Sequence, residues 1–200
     1  MDIDRIEAVA HVEMAKRQDL DFREPGWTLY HGKRTGRIAC YLRERLDLSV
    51  DADALYVAGL FHDVSKDQEP HAELGAKRIR ELLSGLVPQE SLTTICEAVS
   101  LHNKRMQSES FSDFTKLLQD ADLIDHVGFI DIWMSFYWSG NKNESIDDHL
   151  AFYKGKTRKQ TQDYMITHLN FDVSQEMFEE RVKMSDQFFG EFQRVYFEGV

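Results

Sequence analysis

The sequence predicts an all-α fold, and three observations carry that reading. Apolar residues recur at three- and four-residue spacing along almost the whole chain, only three prolines interrupt 200 residues, and period-two runs of β-branched residues are scarce. Helices are expected at 3–19, 27–47, 51–66, 70–85, 88–103, 111–126, 128–139, 145–168 and 174–197. The first follows the acidic start Met1-Asp2-Ile3-Asp4-Arg5 and has an amphipathic pattern, not that of a signal region. The second carries the stripe His31, Thr35, Ile38 and Leu42, and the third the apolar run Leu55 to Phe61. Pro70 and Pro88 open the fourth and fifth, and Gly85 closes the fourth. The sixth is built on Leu117, Ala121 and Ile124. The seventh, Ile130 to Trp138, is rich in aromatics, which suits core packing, with a pocket wall or a homodimer seam as alternatives. The last fifty residues alternate charge with Phe, Tyr and Met, among them Phe178, Phe188, Phe189 and Phe192, and read as a helical cover over residues 145–197.

A hydrophobic content of 42% over this length is enough for one substantial core, and no Gly/Ser-rich or Pro-rich stretch suggests a linker, so a single domain over 1–200 is expected. The longest apolar runs are far shorter than a membrane span. Cys40 and Cys96, both within helical apolar patterns, are expected to be buried thiols, and with no Cys-x-x-Cys motif a reducing cytoplasm fits. A formal charge of -11 disfavours binding to a nucleic acid polymer. A small anionic substrate remains compatible, provided a local positive site, such as a bound metal, receives it.

The chemistry is concentrated in polar residues on apolar faces. His62-Asp63 ends the third helix's apolar run, with His62 in phase with Leu55, Ala58 and Gly59. His31 shares its helix's inward stripe, and His102 is in phase with Leu92, Ile95 and Val99. One inward imidazole is commonly a satisfied core residue. Three of them with a carboxylate are costly to bury unless something binds them, and that donor set suits iron, manganese, zinc or nickel. Phase alone leaves His71 open between ligand and surface residue, and does not choose between Asp120 and Asp122. Asp125 can serve as a partner behind a ligand. His11, His126, His149 and His168 are expected to be structural or exposed.

The order His31, His62-Asp63-Val-Ser-Lys66 and Gln119-Asp-Ala-Asp-Leu123 resembles the HD superfamily of metal-dependent phosphohydrolases over roughly residues 25–130. Ser65 stands where the family usually has a small Gly, and the family's Ala-Asp pair matches Ala121-Asp122, which favours Asp122 as the distal ligand. His71-Ala-Glu-Leu-Gly75-Ala76 and Ala98-Val-Ser-Leu-His102 resemble the extra histidines of the two-metal branch that includes symmetrical diadenosine tetraphosphate hydrolases. The Gly-Tyr-Pro motif of cyclic-di-GMP phosphodiesterases is absent after His102, and Asn103 to Phe111 departs from the tetraphosphatase pattern.

The resemblance implies an HD-type helical bundle with additional C-terminal helices. It also implies six metal ligands, His31, His62, Asp63, His71, His102 and Asp122, holding two divalent ions (iron, manganese, nickel, zinc or magnesium) with Asp63 bridging. The expected activity is hydrolysis of a phosphoester or phosphoanhydride of a nucleotide-like small molecule by metal-activated water, with Asp63 and Lys66 as catalytic residues. Arg34 and Lys66, one turn after His31 and His62, are expected to bind the substrate phosphate, exposed ion pairs being the alternative. A different class of function, a regulatory or ligand-binding module without significant catalysis, would keep the fold while losing ligands, and this chain keeps the complete set.

Overall fold

The computed structural model describes residues 1–18 and 23–199, with the backbone alone for 107–109. Among the described residues there are ten α-helices, one 3-10 turn (Arg105–Ser110) and no strand. Helix α1 (Ile3–Met14) starts where the Asp2 carboxylate accepts from the Arg5 amide, and it buries Ile6, Ala10 and Met14 on one face. Helix α2 (Trp27–Arg45) is followed by α3 (Ala52–Phe61), capped by Asp51 through the Ala54 amide. Each such cap satisfies an amide with no partner inside the helix and is worth about 1 kcal/mol. Helices α4 (His71–Leu83) and α5 (Gln89–Leu101) follow Pro70 and Pro88. Helix α6 (Asp113–Asp125) is capped by Ser112. Beyond it run α7 (Phe129–Lys142), α8 (Ile146–Tyr153), α9 (Lys156–Thr167) and α10 (Asp172–Glu198).

The main core lies among α2, α3, α5 and α6, where Leu29, Leu55, Phe61, Ile95 and Leu117 are buried together. Helix α10 packs on α6, α7 and α2 and adds Phe178 to this core. A second, smaller cluster of Ile132, Leu150, Tyr153 and Phe189 joins α7, α8 and α10. The last helix thus lies against α2, α6 and α7. Its start is tied to α6 by Asp120, whose carboxylate accepts from the backbone amide of Asn170 at 2.9 Å, its side-chain amide at 2.7 Å and the Phe171 amide at 3.2 Å.

Three expected boundaries move. Helix α1 ends at Met14, and residue 19, its expected end, lies outside the described residues. Helix α3 stops at Phe61, so that 62–66 form successive turns in which Val64 donates to Phe61 and Lys66 to Asp63. The expected helix 145–168 is two helices. Lys154 donates back to Leu150 and Gly155 takes an extended conformation as the first residue of a new start, with its amide on the Phe152 carbonyl. Periodicity does not register such a break, because both pieces keep the same spacing.

Helices α2 and α3 meet through glycine. A Cβ at Gly59 would lie 2.4 Å from the Gly36 Cα, and one at Gly32 would lie 2.3 Å from the Leu60 carbonyl oxygen. The two backbones touch there, and no side chain larger than hydrogen fits. Gly59→Ala should therefore force the helices apart at a cost of about 1–3 kcal/mol or more. It should lower the melting temperature by roughly 3–10 °C; an unchanged melting curve would show that the crossing relaxes freely.

Candidate metal centre

The glycine crossing sets His31 on α2 beside His62 at the end of α3, with ring centroids 4.9 Å apart. His102, just beyond α5, lies 5.1 Å from His62, and His71, the first residue of α4, lies 5.3 Å from His102. The Nε2 atoms of these rings converge on two carboxylates. His62 is 3.7 Å from Asp63 and 3.5 Å from Asp122, His102 is 3.5 Å and His71 3.8 Å from Asp63, and His31 is 3.1 Å from Asp122. Four overlapping triplets have donor atoms within 4.8 Å of one another, and two of them, His31-His62-Asp63 and Asp63-His71-His102, share only Asp63.

Each inward Nε2 is set by what the other ring nitrogen does. Nδ1 of His62 donates to the Gly59 carbonyl at 2.8 Å and that of His102 to the Val99 carbonyl at 2.7 Å. Nδ1 of His31 donates to Asp125 at 2.7 Å and that of His71 to Glu69 at 3.2 Å. Protons held on Nδ1 leave the lone pairs of His62, His71 and His102 facing the carboxylates, the tautomer a metal ligand needs. Two of these atoms, Nε2 of His62 and of His71, are buried without a hydrogen-bond partner. An orphaned polar atom costs about 1–3 kcal/mol, which a cation would relieve. The residues therefore fit a divalent metal.

The charges are arranged accordingly. Burial raises the Asp63 carboxyl, but His62, His102 and Lys66 outweigh it and hold it well below the usual carboxylate range. Asp122 is held low in the same way by His126, His31 and His62 against its burial. His31 would be pushed down by burial, yet Asp122 and Asp125 raise it to about 9. Asp120 behaves differently: burial pushes it up to about 6, and its carboxylate faces Asn170 and Phe171.

The structure thus brings together the six residues expected as ligands, and of the two aspartates that periodicity left open Asp122 faces the centre and Asp120 the C-terminal cover. Lys66 reaches Asp63 at 3.1 Å, from a turn and not from the expected helix. Arg34 departs from expectation. It does not reach toward the centre's carboxylates: its guanidinium grips Asp125 at 2.8 and 3.0 Å and lies 5.0 Å over the Trp27 ring, so it orients His31 through Asp125. Two residues were missed. His126, set aside as structural or exposed, lies 3.6 Å from Asp122, and its position four residues after Asp122 was a readable helical-face signal. Arg105 pairs directly with Asp122 from the 3-10 turn, where no periodicity could announce it. His149 is buried against Ser139.

His31 generates a pH signature. Its folded value of about 9 exceeds the ordinary 6.5, so its stabilisation is complete below about pH 6.5 and is lost as pH rises through 9. Chelator-treated protein should melt at progressively lower temperature across that window, and His31→Gln should flatten the slope. A melting temperature that rises with pH in the unsubstituted protein would contradict the pairing.

The residues of this centre fall within a recognised sequence family. Residues 28–127, half of the chain, match the HD domain. No curated relative matches the sequence. Among solved structures, an HD-superfamily hydrolase from Bacillus thuringiensis is 23% identical, covers 98% of both chains and superposes with a TM-score of 0.66. YpgQ from Bacillus subtilis, solved in complex with ADP, is 20% identical over 96% of each chain with the same TM-score. A Lactobacillus plantarum protein is 18% identical, covering 96% of this chain and 97% of its own, at 0.63. These likenesses extend the shared fold through the C-terminal helices, and the match at 28–127 contains all six gathered residues, from His31 to Asp122: the chain belongs to the HD domain family.

Proposed function

We propose that this protein is a metal-dependent phosphohydrolase that cleaves a phosphoester or phosphoanhydride of a nucleotide-like small molecule. The observation that carries the reading is the convergence of four histidine Nε2 atoms and two ionised carboxylates on one buried point, with two cationic side chains, Lys66 and Arg105, on the same carboxylates. HD domains bind divalent metals, and this donor set has the composition for it. The triplets that share only Asp63 support two ions bridged by that residue, in the manner of the two-metal branch. Imidazole-rich coordination favours iron, manganese, nickel or zinc over magnesium. The nucleotide part of the reading draws support from YpgQ, a protein of this fold that holds ADP in its crystal structure.

When bound, the cations would neutralise charge on the phosphoryl group and lower the pKa of the attacking water. The chain's own residues prepare that reaction. Gly59, Val99, Asp125 and Glu69 fix the four imidazoles, so that no reorientation is needed as charge develops. Lys66 and Arg105, now on Asp63 and Asp122, are within reach of an anion arriving at those carboxylates and would hold the phosphoryl oxygens. Asp63, kept ionised, ties together the His71-His102 side and the His31-His62 side of the centre.

His62→Ala and Asp63→Ala should each lose bound metal by elemental analysis and lower phosphate release from a nucleotide panel by about 10³-fold or more. Retained metal with full activity in both variants would sink the assignment. Lys66→Ala and Arg105→Ala should keep the metal and lower kcat/KM by about 10²-fold, the order found when one charge-stabilising donor is removed. Loss of metal in either would instead make that residue a structural support of the centre.

A further inference from the structure

A cleft of about 460 Å³ lies between α7, α8 and α9, within the roughly 300–1,000 Å³ of small-molecule sites. His126 belongs to both this cleft and the centre: it lines the cleft while its Nε2 lies 3.6 Å from Asp122. A molecule whose phosphate sat at the carboxylates would therefore have this cleft beside it, on the other side of His126.

The wall is unlike the rest of the site. Met134, Trp138, Phe152, Tyr153 and Met165 give it two thioethers and three aromatic rings. Phe152 is 52% exposed, although Leu150 and Tyr153, its neighbours on α8, are buried in the small C-terminal core. Arg158 lies 3.7 Å over the Tyr153 ring and is held by Asp131 and Asp186, each at 3.1 Å, which fixes a cationic plane in the lining. Ser135, Thr161 and Gln162 add two hydroxyls and an amide.

Flat aromatic and guanidinium surfaces bind planar rings through their faces, and hydroxyls and amides bind ring edges by hydrogen bonding. A bare sugar phosphate would leave the aromatic and thioether wall wet, whereas a planar base would cover it. We infer that this cleft is the subsite for the nucleobase of the substrate, so that the C-terminal helices, and not the metal-binding helices, distinguish nucleotides from other phosphates. The inference rests on the phosphohydrolase reading for the position of the phosphate, and it assigns the aromatic residues of α7 a role: Trp138 and Met134 face the cleft, whereas Ile132 packs in the small core.

Two variants test it on the full-length, metal-loaded protein. Ser135→Trp fills the cleft from α7, and Phe152→Ala removes a ring at a half-exposed position where misfolding is not expected. Kinetics compare nucleoside triphosphates with inorganic tripolyphosphate, and nucleoside monophosphates with ribose 5-phosphate, while calorimetry follows ADP binding with and without chelator. The expected result is a preference for the base-bearing compound that falls about tenfold or more in both variants, the order expected when base stacking is lost, with ADP affinity falling in parallel. Equal loss on base-bearing and base-free compounds, no loss in Phe152→Ala, or hydrolysis of base-free compounds alone would overturn the subsite. If no phosphorylated compound is turned over, the hydrolase reading fails separately, and calorimetry still decides: ADP binding that Phe152→Ala and Ser135→Trp weaken upholds the subsite, and binding that they leave intact, or none, overturns it.

Discussion

The contact between Gly59 and Gly36 controls the geometry on which the centre depends. His31 belongs to one helix and His62-Asp63 to the end of another, and whether their donor atoms address one point is decided by how closely those helices approach. An ordinary side chain at the crossing would add a distance comparable to a metal–ligand bond, enough to separate the two halves. The small residues of α3, read along the sequence as part of an apolar run, therefore have a positional role. They bring two backbones into contact so that longer side chains can meet farther along.

A second layer keeps the charges in balance. Asp63, Asp122 and Asp125 are buried acids, and isolated carboxylates in such a place would be neutral or absent. Each has cationic or imidazole partners: Lys66 and His102 for Asp63, Arg105 and His31 for Asp122, Arg34 and His31 for Asp125. Arg34, expected to meet the substrate phosphate, is paired here with Asp125. Its bidentate grip on Asp125 fixes the carboxylate that fixes His31, so it influences the centre without facing it.

Much of this was legible in the sequence because helical phase is a local property. His31 occupies the inward stripe of α2, and His62 and His102 directly follow α3 and α5 and are buried as the phase of those helices implies. What was not legible depended on irregular backbone or on three-dimensional proximity. Arg105 stands on a 3-10 turn, Lys66 on a turn after α3, and the break at Gly155 separates two helices of matching periodicity. Asp120 and Asp122 flank one stripe almost equally, and only the position of the segment at Asn170-Phe171 shows that one carboxylate is occupied in holding the C-terminal helices. His126 was readable from its spacing to Asp122, but a residue near a helix end has fewer phase partners to mark it.

The hydrogen bonds behind the imidazoles carry a thermodynamic consequence. In small zinc-binding modules the ligands are brought together only when the ion arrives, so that binding and folding are one event. Here a hydrophobic core orders the rings, and carbonyls or carboxylates hold their Nδ1 protons, before any ion is considered. The ligands lose little freedom on complexation, and the affinity of the centre reflects coordination energy more than chain ordering. Such a receptor would keep its shape through cycles of ion loss and uptake, acting as a rigid mould and not as a clasp.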